Sequence, residues 1–283
     1  MNRRNPPTNN PRRGRGRPLE SELPDLGRLV RRVREDRELS RPEAAGLLNI
    51  GYELLRKIEY GTAACTLPVL EQMITTYELD MAQARHARDL AQVPVPLAPV
   101  EELRARPSAS DHLSTLSRLD ERGFVGAYID PLWSLVHANK RLRSELPGID
   151  RYDDSLALWY FHPGTTAHTA ESLVVDWDTV AAYLVASLRA AFGIHRQTPR
   201  ALALFQKLCG SETFRELWNT SFAVAYGYPT EEPLQLRERD TGQLYSVRIH
   251  LGSRVRARLG TTDNPDLRFC IGYRDTCNPS TQL

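Results

Sequence analysis

The chain has 283 residues, of which 41% are hydrophobic and 25% charged, and its formal net charge is +2 at pH 7. This length accommodates two domains, and no apolar run approaches the roughly 20 residues that cross a bilayer. The sequence therefore excludes membrane insertion. The charge is uneven, because residues 1–61 carry 14 Lys/Arg and 9 Asp/Glu, or +5, which leaves −3 for the remainder. The basic end favours an anionic partner such as nucleic acid.

Cysteine and histidine spacing argues against a metal site or an enzyme. The four cysteines form no CxxC or Cys/His zinc pattern, so we expect reduced thiols, no metal and no cofactor in a cytoplasmic, nucleoid-associated protein. A metal pair at His162 and His168 near Glu171 is the one alternative, and no further ligand supports it. There is no HExxH, phosphate loop or nucleophile elbow. We therefore expect no catalysis.

Residues 1–22 form an Arg-rich segment without apolar periodicity, which predicts a disordered tail. Within it Arg15-Gly16-Arg17-Pro18 resembles an AT-hook core, in which arginines flank a glycine that enters a narrow minor groove. Two interpretations stay open. The tail is either a solvated segment with general phosphate affinity or a minor-groove arm that uses Arg15 and Arg17.

Residues 23–91 are predicted to form an all-α, five-helix domain built around a helix-turn-helix. A helix over 26–37 comes first. Ser40 and Glu43 then form a capping box before the helix that starts at Arg41, Asn49-Ile50-Gly51 breaks the period, and a further helix ends at Gly61. Thr66 and Asp80 are expected to cap two more helices, the last of which runs through Leu90. A short second helix on a convex surface fits the DNA major groove, whereas the alternative is an ordinary pair of core helices.

This segment resembles the Xre-type, phage-repressor-like domain. The matched positions are Leu39, Ser40, Glu43, Ala45, Leu48, Ile50, Ile58, Glu59 and Gly61. The resemblance implies base reading by Tyr52, Glu53 and Lys57, with Arg56 beside them, and a phosphate contact at Ser40 and Arg41. Gly51 precedes the reading helix and belongs to the same predicted DNA-binding set. For each side chain the alternative is a solvated helix face.

Residues 92–112 are rich in Pro and predict a linker, with a helical turn over 100–105. Residues 113–275 change to an α+β pattern with one antiparallel sheet, followed by a tail over 276–283. Early β-rich runs flank Pro131, and helices are predicted over 140 onwards, 176–192, 199–208 and 212–220. Late strands follow over 234–239, 243–251, 255–259 and 267–273, with a turn at Asp240-Thr241-Gly242.

This second half is similar to the ligand-binding domain of MmyB-like regulators. The motif residues that carry the resemblance are Ile129, Asp130, Trp133, Val136, Asn139, Leu156, Trp159, Phe161, Asp176, Trp177, Ala181, Ser211, Phe214, Leu217 and Trp218. The resemblance implies a PAS-like fold, transcriptional control, often in actinobacteria, and an apolar pocket for a small apolar ligand such as a fatty acid. The predicted pocket set is Trp133, Trp159, Phe161, Phe192, Trp218 and Phe222. The alternative for each of these aromatic residues is plain core packing.

The sequence differs from that family in its reading helix, where Leu54-Leu55 replaces a Tyr-Tyr pair, so no operator sequence carries over. One such helix reads few base pairs, and useful specificity requires two copies on half-sites of double-stranded DNA. We therefore expect a homodimer. In the alternative, the second domain binds a protein partner, a sigma factor or RNA polymerase, rather than a small molecule.

Overall fold

The computed structural model describes residues 22–161, 167–227, 233–252 and 267–274, and only the backbone of residues 167–169. The predicted Arg-rich tail with Arg15 and Arg17, the strand expected over 255–259, and the tail over 276–283 lie outside the described residues. The described chain has the predicted fold class, an all-α domain followed by an α+β domain with an antiparallel sheet. No described helix is long and apolar enough to cross a membrane.

Five helices make up the first domain, as predicted. Their bounds are α1 (Leu26–Asp36), α2 (Arg41–Leu47), α3 (Tyr52–Glu59), α4 (Leu67–Thr76) and α5 (Met81–Ala91). Apolar residues at helical spacing place one stripe of each helix in a common core, which includes Val33, Leu48, Leu55, Leu70 and Tyr77. Burial of these side chains, each worth roughly 1.5–3 kcal/mol, stabilises helices that are too short to persist alone.

The connection and the second domain contain eight further helices among the described residues. These are α6 (Val100–Ala105), α7 (Ala109–Glu121), α8 (Lys140–Glu145), α9 (Leu156–Phe161), α10 (Ala167–Leu173), α11 (Trp177–Ile194), α12 (Pro199–Leu208) and α13 (Glu212–Thr220). The predicted helical turn over 100–105 and the helices over 199–208 and 212–220 are confirmed. Helix α7 overlaps the end of the predicted linker and was not predicted.

The strands form one antiparallel sheet. They are β1 (Val125–Ile129), β2 (Leu135–Ala138), β3 (Leu234–Arg237), β4 (Leu244–Gly252) and β5 (Arg268–Arg274), in the spatial order β2-β1-β5-β4-β3. The β3–β4 hairpin pairs Leu234 with Val247 and turns through Gly242 at φ +70°. The left-handed φ explains why glycine suits this turn. The late hairpin predicted from Asp240-Thr241-Gly242 is therefore confirmed.

Helices cover the two faces of the sheet unequally. Helices α8 to α11 cover the inner face, which carries Ala127, Ile129 and Val247. Helix α7 covers the outer face of β1 and β2, where His112 stacks on Tyr128 with ring centroids 3.9 Å apart. The larger apolar core, and any cavity within that core, therefore lie between the inner face of the sheet and helices α8 to α11.

The predicted linker packs against the second domain along its length. The Val95 N–H donates to the carbonyl oxygen of Ile194 at 2.9 Å, and His195 Nδ1 lies 2.8 Å from the Val95 carbonyl oxygen. Leu97 is buried in the core of the second domain. Arg104 of α6 donates to the carbonyl oxygens of Leu135 and Val136, which protects the edge strand β2.

Candidate functional sites

The helix-turn-helix begins with local signals that the sequence predicts. Ser40 caps α2 in a capping box, with the Glu43 N–H 3.4 Å from the Ser40 hydroxyl and the Ser40 N–H donating to the Glu43 carboxylate at 2.8 Å. Asn49 takes φ +47° in the turn, and Gly61 follows α3 at φ +67°. Asn and Gly tolerate this left-handed region best. The turn geometry is therefore set by residues within the segment.

A buried ionic network fixes α3 to the two preceding helices. The Glu59 side chain is fully buried and accepts hydrogen bonds from Arg34 Nε at 2.5 Å and Arg41 Nε at 2.7 Å. These hydrogen bonds raise the pKa of both guanidinium groups. Gly27 is required where α1 crosses α3, because an added Cβ would lie 2.5 Å from the Ile58 carbonyl oxygen. Sequence analysis did not single out Gly27, since no turn signal surrounds it.

The outer face of α3 presents most of the predicted base-reading side chains to solvent. Tyr52, Glu53 and Lys57 are exposed, whereas Leu55 and Ile58 are buried beneath them. The Glu53 carboxylate accepts from Arg56 Nε at 3.0 Å and Nη2 at 2.9 Å, which lowers the pKa of Glu53. Within the described part of the chain, the Lys57 ammonium has no ion pair. The face therefore offers one unpaired cation beside a carboxylate–guanidinium pair.

The other predicted DNA contacts among the described residues lie at the starts of α2 and α3. Ser40 is exposed, but its hydroxyl is engaged in the capping box. Arg41 is 23% exposed, pairs with Glu59, and lies over the Tyr60 ring with 5.3 Å to the centroid. Gly51 caps α3 with open space around its Cα. Arg15 and Arg17 lie outside the described residues.

A cavity of about 440 Å³ lies between the inner face of the sheet and the helices. Its floor consists of alternate residues of the strands, and its walls come from α8, α9, α10 and α11. The apolar part of its lining includes Ala127, Trp133, Trp159, Val180, Tyr183, Leu184, Val247 and Cys270. The volume lies within the range of small-molecule sites, and the lining is predominantly apolar.

Polar side chains lie at one end of this cavity. Arg141, Glu145, Tyr245 and Arg274 contribute to its lining, and the Tyr245 hydroxyl donates to the Glu145 carboxylate at 3.1 Å. Arg274 pairs with Glu238 and lies over the Tyr245 ring. The Arg141 guanidinium has no hydrogen-bond or ion-pair partner among the described residues. An apolar molecule with one polar end matches this distribution.

Cys270 projects into the cavity from β5. The residue is only partly exposed, and its burial raises the pKa of the thiol to about 12. The thiol therefore behaves as a small apolar group rather than as a nucleophile. Among the described residues, Cys65, Cys209 and Cys270 are free thiols.

Two of the six predicted pocket aromatics, Trp133 and Trp159, line the cavity. Three others, Phe161, Phe192 and Trp218, pack with Phe205 and Phe214 in an aromatic core cluster beside it. Phe222 lies elsewhere, against the core of the first domain. The spacing of apolar residues along a helix identifies its buried face. Whether a side chain on that face lines a cavity or packs in the core depends on the elements packed against it.

The motif residues Asp130 and Asn139 hold the cavity wall in place. Asp130 is buried, and its carboxylate accepts from the N–H groups of Leu132 and Ser134, both at 2.9 Å, while also pairing with Arg200. This turn holds Trp133 at φ +63°, and the indole N–H donates to the Ser187 hydroxyl at 3.0 Å.

Asn139 connects two elements of the same wall. Its side-chain oxygen accepts from the N–H groups of Gly126 on β1 and Leu142 on α8, and its amide donates to the Phe124 carbonyl oxygen. The motif is consequently structural, because it orients Trp133 and α8 around the cavity.

No cluster of three or more metal-ligating side chains occurs among the described residues. His162 and the side chain of His168 lie outside them, so the alternative metal pair has no described geometry.

Comparison with known families assigns both domains. The family described as "Helix-turn-helix domain" matches residues 25–87, and the family described as "MmyB-like transcription regulator ligand binding domain" matches residues 117–271. These are DNA-binding and ligand-binding families rather than enzyme families. No curated protein matches the chain. Because the second match covers more than half of the sequence, the protein belongs to the MmyB-like transcription regulators and is a DNA-binding transcriptional regulator with a helix-turn-helix domain.

Proposed function

We propose that the protein is an Xre-type regulator that binds two operator half-sites as a homodimer in the cytoplasm, and that its second domain, over 113–275, senses a small apolar molecule. The observation that carries the proposal is the 440 Å³ apolar cavity in a chain whose exposed α3 face carries an unpaired Lys57. The five-stranded antiparallel sheet beside that cavity supports a PAS-like description of the domain.

On the DNA side, Lys57 donates to a guanine edge, and Tyr52 packs on a thymine methyl group or bonds a phosphate. Glu53 accepts from a cytosine amino group after its pairing with Arg56 opens, and Arg56 then becomes free for a phosphate. The exposed α2 N-terminus at Ser40 supplies further phosphate contacts. Arg15 and Arg17 extend the contact into the neighbouring minor groove.

On the ligand side, the apolar cavity and its polar end favour an amphipathic molecule such as a fatty acid. Its chain lies between the sheet and α11, and its carboxylate pairs with Arg141. Burying an alkyl chain contributes about 0.8 kcal/mol for each CH₂ group. Chain length consequently controls affinity until the cavity is full.

The DNA test begins with selection of bound sequences from a random oligonucleotide pool, repeated with residues 1–18 deleted. Two half-sites in the selected sequence are expected for a homodimer, and a single site with a monomeric complex would contradict it. Loss of flanking A·T preference on deletion is expected if Arg15 and Arg17 enter the minor groove.

Lys57→Ala is expected to weaken specific binding by about 1–3 kcal/mol and to relax one base position. The measurement is fluorescence anisotropy with selected and random duplexes. Arg88→Ala is the matched control, because Arg88 is a cation on α5 that pairs with Glu71. Equal losses on selected and random DNA for Lys57→Ala would contradict its assignment to base reading.

The ligand test measures the binding of saturated fatty acids of 10 to about 18 carbons by calorimetry. The series varies chain length because each buried CH₂ group is expected to contribute about 0.8 kcal/mol to binding. Cys270→Phe fills the cavity and is expected to abolish binding. His250→Phe is the control, because it places the same ring on the neighbouring strand, where His250 is exposed and does not line the cavity. Binding that survives Cys270→Phe would place the ligand elsewhere. If no fatty acid binds and the second domain binds a sigma factor or RNA polymerase instead, a protein-sensing domain would be favoured.

A further inference from the structure

We propose that helix α11 couples the ligand cavity to the DNA-binding domain through an interdomain contact formed by Arg196, Arg189, Arg32, Phe222 and Tyr226. The inference rests on the proposed function, in that the cavity is taken as the ligand site. It adds the structural route by which ligand binding in the cavity affects the DNA-binding domain.

The first half of α11 forms part of the cavity wall. Val180, Tyr183 and Leu184 line the cavity, and one turn later Ser187 accepts the hydrogen bond of the Trp133 indole N–H. Trp133 itself lines the cavity. Any molecule that fills the space between the sheet and the helices therefore contacts α11 directly, or contacts the side chain that is bonded to it.

The second half of α11 holds the end of the DNA-binding domain. Arg196, just after the helix, donates to the carbonyl oxygens of Leu90 at 3.0 Å and Gln92 at 2.6 Å, which are terminal carbonyls of α5. Gly193 lies against His86 of α5, where an added Cβ would be 2.5 Å from the imidazole Cε1. A cation at a helix C-terminus and a close helix–helix approach are both directional contacts, so α5 cannot slide freely past α11.

A loop over 221–227 transmits the position of α11 to the same domain at a second point. The Ala225 N–H donates to the Ala186 carbonyl oxygen at 3.1 Å, and Arg189 donates to the carbonyl oxygen of Ala223. The loop carries Phe222 onto the core of the first domain. It also places Tyr226 against α5, where its hydroxyl donates to Asp89 and its ring lies under Arg85 at 3.8 Å to the centroid.

The contact is reciprocal, because the first domain also reaches into the second. Arg32 of α1 donates to the carbonyl oxygens of Trp218 and Asn219 at the C-terminus of α13, and Arg189 shares the Trp218 oxygen at 3.0 Å. Burial lowers the pKa of Arg189 to about 9. Helix α1 in turn crosses α3 closely at Gly27. The interface therefore ends one helix away from the reading helix.

The physical basis of the coupling is a rigid helix with both ends engaged. The 18 residues of α11 span about 27 Å. Close-packed interiors respond to added volume by shifting whole elements between discrete arrangements rather than by compressing. A ligand that separates α11 from the sheet consequently moves α5 and α1 with it, and the spacing of two reading helices in a dimer changes.

The experiment measures the operator affinity of the full chain by fluorescence anisotropy, with and without saturating hexadecanoate. Wild type is expected to show a change of roughly 5- to 150-fold. Arg32→Gln combined with Phe222→Ala removes interface contacts only. This variant is expected to retain its affinity for hexadecanoate and its unliganded affinity for DNA. The ratio of the operator affinities measured with and without hexadecanoate is expected to fall to about 1. Tyr226→Phe, which removes a single hydrogen bond, is expected to give an intermediate ratio and guards against misfolding of the double variant.

A wild-type ratio that persists in both variants would overturn the inference and leave the proposed function intact. A ratio of 1 in wild type with hexadecanoate bound would contradict ligand control itself. If hexadecanoate does not bind, the Cys270→Phe variant takes the place of the liganded protein, because its added ring fills the cavity permanently. Hydrogen exchange of this variant is then compared with that of wild type. Altered protection of α5 in that variant supports the coupling, and unaltered protection of α5 contradicts it.

Discussion

The two domains differ in how their interiors are filled. In the DNA-binding domain the interior includes a charged group, Glu59, whose carboxylate is satisfied by Arg34 and Arg41. The ligand-binding domain also buries a charged side chain, Asp130, but the inner face of its sheet is predominantly apolar and leaves a space of about 440 Å³. The first arrangement specifies one geometry, because every partner of a buried charge must stay in place. The second permits rearrangement, because apolar contacts have no direction.

The largest expected effect tests the fixed geometry of the first domain. Glu59→Gln leaves Arg34 buried without its carboxylate and is expected to lower the free energy of unfolding by about 3–5 kcal/mol. The measurement is denaturant unfolding of the full chain. Glu53→Gln is the control, since the Glu53–Arg56 pair is exposed, and no measurable change is expected there. Equal effects of the two variants would contradict the contrast between the buried and the exposed pair.

Adding volume in each domain breaks or sharpens the comparison directly. Ala44→Leu enlarges a fully buried residue of α2 and is expected to cost about 1–3 kcal/mol through overpacking. Cys270→Leu adds a similar volume in the cavity and is expected to be neutral or to stabilise by up to about 2 kcal/mol. Thermal unfolding of both variants measures the difference. Similar destabilisation by the two substitutions would mean that the cavity cannot accept added volume.

The boundary between the domains is expected to make stability depend on pH. Burial, with Arg189 and Arg196 nearby, lowers the pKa of His86 to about 3 from 6.5. Below pH 6.5 the His86 side chain therefore binds a proton in the unfolded chain but not in the folded chain. The contribution of His86 to the free energy of unfolding is fully present above pH 6.5. It falls by up to about 1.4 kcal/mol for each pH unit as the pH drops towards 3.

The contribution of His86 is isolated by comparing wild type with His86→Gln in urea unfolding from pH 7 to pH 4. Burial also lowers the pKa of His112 and His137 on the outer side of the sheet, so both proteins lose some stability in acid. The slope is expected to be shallower in His86→Gln. Identical slopes would show that the interdomain histidine titrates normally.

How much could be predicted from sequence differs between the domains for a physical reason. The helix-turn-helix depends on contacts between near neighbours, so the capping box at Ser40 and the stop at Gly61 are visible as short patterns. The late hairpin was predicted on the same grounds, because its turn at Gly242 is local. Helix α7 was not predicted, since its stability depends on packing against a sheet strand that follows it in the chain.

The candidate sites show the same limit. Side chains alternate between the two faces of a strand, so the strand predicted over 243–251 implies that Val247 shares a face with Tyr245 and Ile249, and that face lines the cavity. The surroundings of Arg41 and Arg32 could not be predicted, because only the fold brings the Glu59 carboxylate beside Arg41 and the end of α13 beside Arg32. The interdomain position of Phe222 likewise depends on contacts about 190 positions apart in the sequence.

The smallest expected effect concerns helix caps, in which the two domains do not differ. Ser40 and Ser211 each accept a hydrogen bond from the third residue of their helices, at 3.4 Å and 3.3 Å. Thr66 begins α4 without such a bond. Replacement by Ala is expected to cost about 1 kcal/mol at Ser40 and Ser211 and close to nothing at Thr66. Chemical denaturation of the three variants measures this pattern. Equal costs at the two serines would locate the difference between the domains in their long-range packing, whereas an equal cost at Thr66 would contradict the role of the cap hydrogen bond.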